Sequence, residues 1–236
     1  MHVRKSFIGA AAAFALIPGT ALAATIQGGP GNENLRGTNA PDHIDGNAGN
    51  DRIHGFAGND ELIGGAGNDR VFGGRGDDNI RGVQGNDWLN GGAGDDTVVG
   101  DTNGTGDLTS FDRIFGGSGN DKLFGGDSHD RISGGPGDDV SYGENGNDRM
   151  NGGTGNDIQN GGDGNDTIFA NIGQDTSYGG NGNDTLWALA RSDVQPDASG
   201  TDPNGSCERV VRQAPKPKDS KTEDAQQSPK DAQVQS

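Results

Sequence analysis

Apolar residues recur along this chain at every ninth position. Leu35, Ile44, Ile53, Leu62, Val71, Ile80, Leu89 and Val98 form a first run, and Ile114, Leu123, Ile132, Met150, Ile168 and Leu186 continue it. Each is the centre of a triplet that opens on a polar residue, Trp88 before Leu89 excepted. This fits the middle of a three-residue strand, with the central side chain pointing one way and its neighbours the other. Between these triplets lie six-residue glycine-rich stretches, which predict turns. A fixed period outranks local propensity as a guide to the fold, because it marks a stacked repeat architecture.

The turns carry the chemistry. One repeat reads Gly64-Gly65-Ala66-Gly67-Asn68-Asp69-Arg70-Val71-Phe72, or G-G-x-G-N-D-x-(apolar)-x. Its sixth position is Asp42, Asp51, Asp60, Asp69, Asp78, Asp87 and Asp96, then Asp112, Asp121, Asp130, Asp139, Asp148, Asp157, Asp166, Asp175 and Asp184, with Glu33 extending the row backwards. Glycines at the first and fourth positions suit conformations that a Cβ disfavours, and Asn at the fifth tolerates the left-handed region. A row of acids this close together calls for a cation. Hard cations of the calcium type take six to eight oxygens, mainly carboxylate and carbonyl. No His or Cys recurs in the repeats, which argues against zinc or copper. The competing reading is that these Asp residues only hydrogen-bond their own turns.

On this motif the chain resembles the RTX, or hemolysin-type, calcium-binding nonapeptide repeat proteins. The resemblance implies an all-β fold, a parallel β-roll (a right-handed β-solenoid) with 18 residues per coil and two facing parallel sheets. Strands about 4.8 Å apart would give a roll roughly 40 Å long. It also implies several bound Ca2+ ions, shared between sixth-position Asp residues 18 apart. Asp51, Asp69 and Asp87 would then line one edge, and Asp60, Asp78 and Asp96 the other.

Composition adds a condition. The 236 residues include 46 Gly, are 28% hydrophobic and carry a formal charge of -17. Residues 24–190 hold 27 acids against 9 bases, so the acid excess lies in the repeats. Such an array repels itself unless counter-charge is supplied, which predicts that folding is coupled to calcium. A net acidic surface also argues against nucleic acid as a partner. Residues 1–23 read as a secretory signal peptide: Arg4 and Lys5, an apolar stretch from Phe7 to Ile17, and Ala21-Leu22-Ala23 as the cleavage site. This places the protein outside the cell, secreted, with no transmembrane segment. The β-roll is assigned to 24–190, and 191–236 is expected to be a disordered polar tail containing the lone Cys207.

Three departures from the period stand out. An insertion at about 101–110 should bulge from a turn and disturb calcium geometry there. Ser141, Gln159 and Ser177 replace apolar centres, beside Val140, Tyr142, Ile158 and Tyr178. Either those strands slip by one residue, exchanging faces, or they present an outward apolar patch that suits a protein partner. Finally, Arg52, Arg70, Trp88, Arg113, Arg131 and Arg149 fall at the outward seventh position of alternate repeats. They form either a solvated face or a ledge for an anionic surface glycan. There is no H-E-x-x-H, no G-x-S-x-G with a plausible triad, and His43, His54 and His129 occupy different repeat positions. The sequence therefore predicts a protein without enzymatic activity, with calcium-dependent adhesion to a surface or matrix as the alternative role.

Overall fold

The computed structural model describes residues 22–101, 110–188 and 209–212. Most of the segment read as a signal peptide (residues 1–21), the interior of the insertion and Cys207 lie outside these residues. The described chain is entirely β-structure, in two parallel sheets. One has nine strands, in the order β1 (Thr25–Gln27), β3 (His43–Asp45), β5 (Glu61–Ala66), β7 (Asn79–Gln84), β9 (Thr97–Asp101), β11 (Lys122–Asp127), β13 (Val140–Asn145), β15 (Ile158–Asp163) and β17 (Thr176–Asn181). The other has ten, in the order β2 (Asn34–Arg36), β4 (Arg52–Ala57), β6 (Arg70–Arg75), β8 (Trp88–Ala93), β10 (Arg113–Ser118), β12 (Arg131–Pro136), β14 (Arg149–Thr154), β16 (Thr167–Ile172), β18 (Thr185–Ala188) and β19 (Arg209–Arg212). Successive repeats alternate between the sheets, so each coil contributes one strand to each. This is the predicted parallel β-roll.

The ninefold apolar residues meet between the sheets. Ile44, Ile53, Leu62, Val71, Ile80, Leu89, Val98, Ile114, Leu123, Ile132, Met150, Ile168 and Leu186 form one continuous buried core, with Ile26 and Leu35 packed against its first coil. With one apolar residue per strand, each coil is sealed only by its neighbours, so no coil has a core of its own.

The strands are longer than the predicted triplets. β6 (Arg70–Arg75) and β8 (Trp88–Ala93) each run six residues, through the first three positions of the next repeat. Pairing resumes beyond the first-position glycine, as in Gly74↔Gly92 and Arg75↔Ala93. The turn proper shrinks to positions four to six. The sequence pattern hid this because glycine reads as a strand breaker, whereas here it lets one strand bend around the corner of the roll.

The glycine roles also differ from expectation. Left-handed backbone falls at the second and fourth positions, for example Gly65 (φ 113°) and Gly67 (φ 132°), and not at the fifth. At Phe56 (φ 82°) and Val83 (φ 93°) a side chain occupies the second position and carries that strain.

No strand slips. Leu123 pairs with Ser141, Ser141 with Gln159, and Gln159 with Ser177. The three polar residues therefore point inward and are buried. Ser177 Oγ donates to Gln159 Oε1 at 3.1 Å, while Gln159 Nε2 has no hydrogen-bond partner. Register is held by the turns, whose side-chain ladders (below) would break if a strand moved by one residue. Ile158 is accordingly left 44% exposed on the outer face, and Phe124 stacks on Tyr142 with ring centroids 5.3 Å apart.

The tail is not wholly irregular. β19 (Arg209–Arg212) pairs parallel with β18 (Thr185–Ala188), with Leu186 opposite Val210. It covers the strand edge that the last coil would otherwise leave open.

Candidate metal centre

Each sixth-position Asp ends a turn and immediately precedes a strand, so the stacking of strands stacks the acids. Two rows result, one on each edge of the roll. Along the first, the Asp51 N–H donates to Asp69 Oδ1 (2.7 Å), Asp69 to Asp87 (2.7 Å), Asp130 to Asp148 (2.7 Å) and Asp166 to Asp184 (2.8 Å). Along the second, Asp42 donates to Asp60 (2.8 Å), Asp60 to Asp78 (2.8 Å), Asp121 to Asp139 (2.8 Å) and Asp157 to Asp175 (2.9 Å). The insertion does not break either row. Asp87 N–H reaches Asp112 Oδ1 and Asp96 N–H reaches Asp121 Oδ1, each at 2.8 Å, across 25 residues instead of 18. The expected disturbance is thus absent from the ladder itself.

The ladder uses one oxygen of each carboxylate. The other, Oδ2, is buried without a hydrogen-bond partner in Asp51, Asp60, Asp69, Asp78, Asp87, Asp96, Asp112, Asp121, Asp130, Asp139, Asp148, Asp157 and Asp166. Asp42, in the first coil, differs: Thr38 donates to both its oxygens, through N–H to Oδ2 and through Oγ1 to Oδ1. A buried carboxylate oxygen left unpaired costs several kcal/mol when ionised. A row of them is not how an Asx turn satisfies itself.

First-position glycines create the space beside these oxygens. A Cβ on Gly64 would lie 2.5 Å from Asp69 Oδ2 and 2.9 Å from the Gly82 carbonyl oxygen; on Gly82, 2.2 Å from Asp87 Oδ2 and 2.9 Å from the Gly100 carbonyl oxygen. The same cradle recurs at Gly73, between Asp78 Oδ2 and the Gly91 carbonyl, and at Gly134, between Asp139 Oδ2 and the Gly152 carbonyl. An orphaned carboxylate oxygen and a carbonyl oxygen of the next coil thus face one small volume in repeat after repeat. This all-oxygen set fits a hard divalent cation. Among the described residues no three His, Cys, Asp or Glu side chains gather as a metal cluster. Backbone carbonyls would share each site with the carboxylates.

Electrostatics agree. Burial, chiefly, raises these acids, opposed by the ladder N–H and reinforced by carboxylates of neighbouring coils. Asp69 and Asp121 are pushed up to about 6. Asp78, Asp96, Asp130, Asp157 and Asp166 are pushed up to about 7. Asp87 and Asp148 reach about 8 and Asp112 about 9, while Asp51, Asp60 and Asp139 are also raised. Without a counter-ion, the turns resist being charged.

Sequence reasoning missed a second ladder. The fifth-position side chains accept from the coil after them, in the opposite sense to the Asp rows. Asn68 N–H donates to Asn50 Oδ1 (2.7 Å), Asn86 N–H to Asn68 Oδ1 (2.7 Å) and Asn156 N–H to Asp138 Oδ1 (2.7 Å). The recurrence of Asn or Asp at that position was the available signal. Their part is to hold the turns in stack.

Comparison with known families agrees with the geometry. The family described as RTX calcium-binding nonapeptide repeat (4 copies) matches residues 27–55, 54–82, 72–103, 109–141, 142–159 and 160–186. The chain belongs to this family. RTX nonapeptide repeats bind calcium, and the number of repeats here implies several ions. No curated protein matches the chain.

Proposed function

We propose that this is a secreted, non-enzymatic calcium-binding protein whose β-roll, residues 24–190, folds when calcium loads its turns. The observation that carries the reading is the register of orphaned Asp Oδ2 atoms along both edges, beside a carbonyl of the neighbouring coil in repeat after repeat. In this reading Ca2+ lies between consecutive turns. It would be held by the sixth-position acids from Asp51 to Asp184 on one edge and from Asp60 to Asp175 on the other, together with backbone carbonyls. Asp42, already bonded by Thr38, would be the weakest member. The cation would supply charge: it would neutralise buried carboxylates that otherwise oppose folding. The chain's own contribution is positional, because the Oδ1 ladder fixes each carboxylate and the glycines keep the cradle free of side chains.

Coupling to folding is supported by the charge excess of the repeats and by the lack of a core within any single coil. Secretion is supported by the pattern of residues 1–23, and calcium outside cells matches the Kd range of roughly 0.1–1 mM typical of extracellular modules. Isothermal titration of the full chain with calcium tests the reading. Uptake of several ions per chain, with the large heat and cooperativity of a folding transition, is expected. Binding of no calcium, or of ions without a folding signal, contradicts it.

A further inference from the structure

The outward face of the ten-stranded sheet holds a row of guanidinium groups. Arg52 pairs with Arg70, Arg70 with Trp88, Trp88 with Arg113, Arg113 with Arg131, and Arg131 with Arg149. All six side chains are exposed, at a spacing of about 4.8 Å per coil. Like charges directly opposite on neighbouring strands oppose folding. None of these arginines meets a carboxylate: among the described residues the one ion pair is His43–Glu61, on the other sheet.

Four of the five guanidinium groups lie over rings instead. Arg113 and Arg131 lie 5.2 and 5.3 Å from the centroid of Phe111, Arg52 is 5.6 Å from Phe72, and Arg149 is 4.4 Å from Phe169. Such contacts orient a cation without cancelling its charge. Where the row meets the turn edge there is a groove of about 550 Å³, lined by Arg52, Arg70, Arg113, Trp88, Phe111 and the fifth-position asparagines. Trp88 is 39% exposed within it.

We propose that this groove binds an anionic polysaccharide, a linear glycan carrying carboxylate or sulfate groups. The inference rests on the calcium-folded β-roll, since only a folded roll assembles the row. Guanidinium forks pair bidentately with such groups. Trp88 and Phe111 offer flat faces to sugar rings, and the asparagine amides suit neutral hydroxyls. One coil advances the row by about the length of one pyranose unit, so successive sugars meet successive arginines. A nucleic acid is the competing anionic ligand, and the oligo-dT arm of the test separates it from the glycan.

The test measures binding of the full chain, in constant calcium, to a hexagalacturonate, a sulfated dextran hexamer, neutral maltohexaose and an oligo-dT strand. Circular dichroism in the same buffer establishes that each variant is folded. Binding of either or both anionic sugars, with none of maltohexaose, is expected, and the stronger of the two shows whether carboxylate or sulfate is the charge recognised. Arg70→Ser and Arg113→Ser should each weaken it by roughly tenfold, and Trp88→Ser should weaken it as well. Arg81→Ser, exposed on the opposite sheet, should change nothing. A folded chain that binds neither anionic sugar, that binds oligo-dT more tightly than both, or whose arginine variants bind unchanged overturns this inference alone. A chain that calcium does not fold overturns the parent reading and this one with it.

Discussion

Replacing Asp69 by Asn separates a metal ligand from a structural turn residue. The amide is nearly isosteric with the carboxylate. Its Oδ1 can still accept the Asp51 N–H, now bonded to Asp69 Oδ1 at 2.7 Å. The other oxygen, buried and unpaired in the native chain, becomes an NH2 group that faces the cradle near the Gly82 carbonyl. The native carboxyl is pushed up to about 6 from an ordinary 3.8, mainly by burial. Its folded-state value is raised, so the calcium-free fold is free of the penalty below pH 3.8 and bears all of it above about pH 6. That gap of roughly two pH units amounts to about 3 kcal/mol at neutral pH. Asp69→Asn should therefore stabilise the calcium-free roll by about that amount. It should also make stability rise less steeply with calcium concentration, because one ligand is lost. Folding would be followed by circular dichroism in chelator with an excluded osmolyte that favours burial, and thermal midpoints recorded across a calcium series. The two proteins' stability lines should cross, with the variant ahead in chelator and behind at high calcium. Equal stability in both conditions would mean that the carboxylate only caps the ladder, and would refute the reasoning.

Other perturbations follow from the same features. In chelator, the chain should gain β-structure as pH falls from about 9 to 4, since protons can neutralise the buried acids in place of calcium. These ten acids, from Asp69 at about 6 to Asp112 at about 9, lose their contribution as pH rises through those values. A circular dichroism series in which acid only diminishes β-structure would contradict this. Gln159→Leu combined with Ser177→Val removes a buried Nε2 with no hydrogen-bond partner together with the hydroxyl that would otherwise lose its acceptor, and restores two apolar centres. The pair should raise the thermal midpoint of the calcium-loaded protein by an amount equivalent to about 1–3 kcal/mol. Val83→Gly relieves a β-branched residue at φ 93°, worth roughly 1 kcal/mol once the greater freedom of glycine in the unfolded chain is deducted. Chemical denaturation in saturating calcium measures it.

Much of this molecule was legible because one constraint repeats. The ninefold apolar positions became the core, and the sixth-position acids became the two edge rows, since an 18-residue coil turns sequence period directly into spatial stack. What the sequence hid was local. Glycine serves equally a left-handed turn, a bend within a strand and a cradle with no room for a Cβ, so composition could not tell that Gly64 and Gly65 differ in role. The inward turn of Gln159 was unreadable from the strand alone, because apolar neighbours at Ile158 argued for a slip. The ladders on either side, which fix register, are contacts between coils, and the recurrence of Asn and Asp at the fifth and sixth positions marks where they run without saying which atoms they join. The strand at Arg209–Arg212 likewise follows from an open edge elsewhere in the fold, and not from the polar segment around it.

The central claim is that calcium builds this roll, and a titration of the full chain followed by far-ultraviolet circular dichroism, with magnesium as control, tests it most directly. A cooperative change from a largely unordered spectrum to β-structure, driven by calcium and not by equal magnesium, is the predicted result. A chain already folded in chelator, or one indifferent to calcium, would contradict it and leave the Asp rows as purely structural turns.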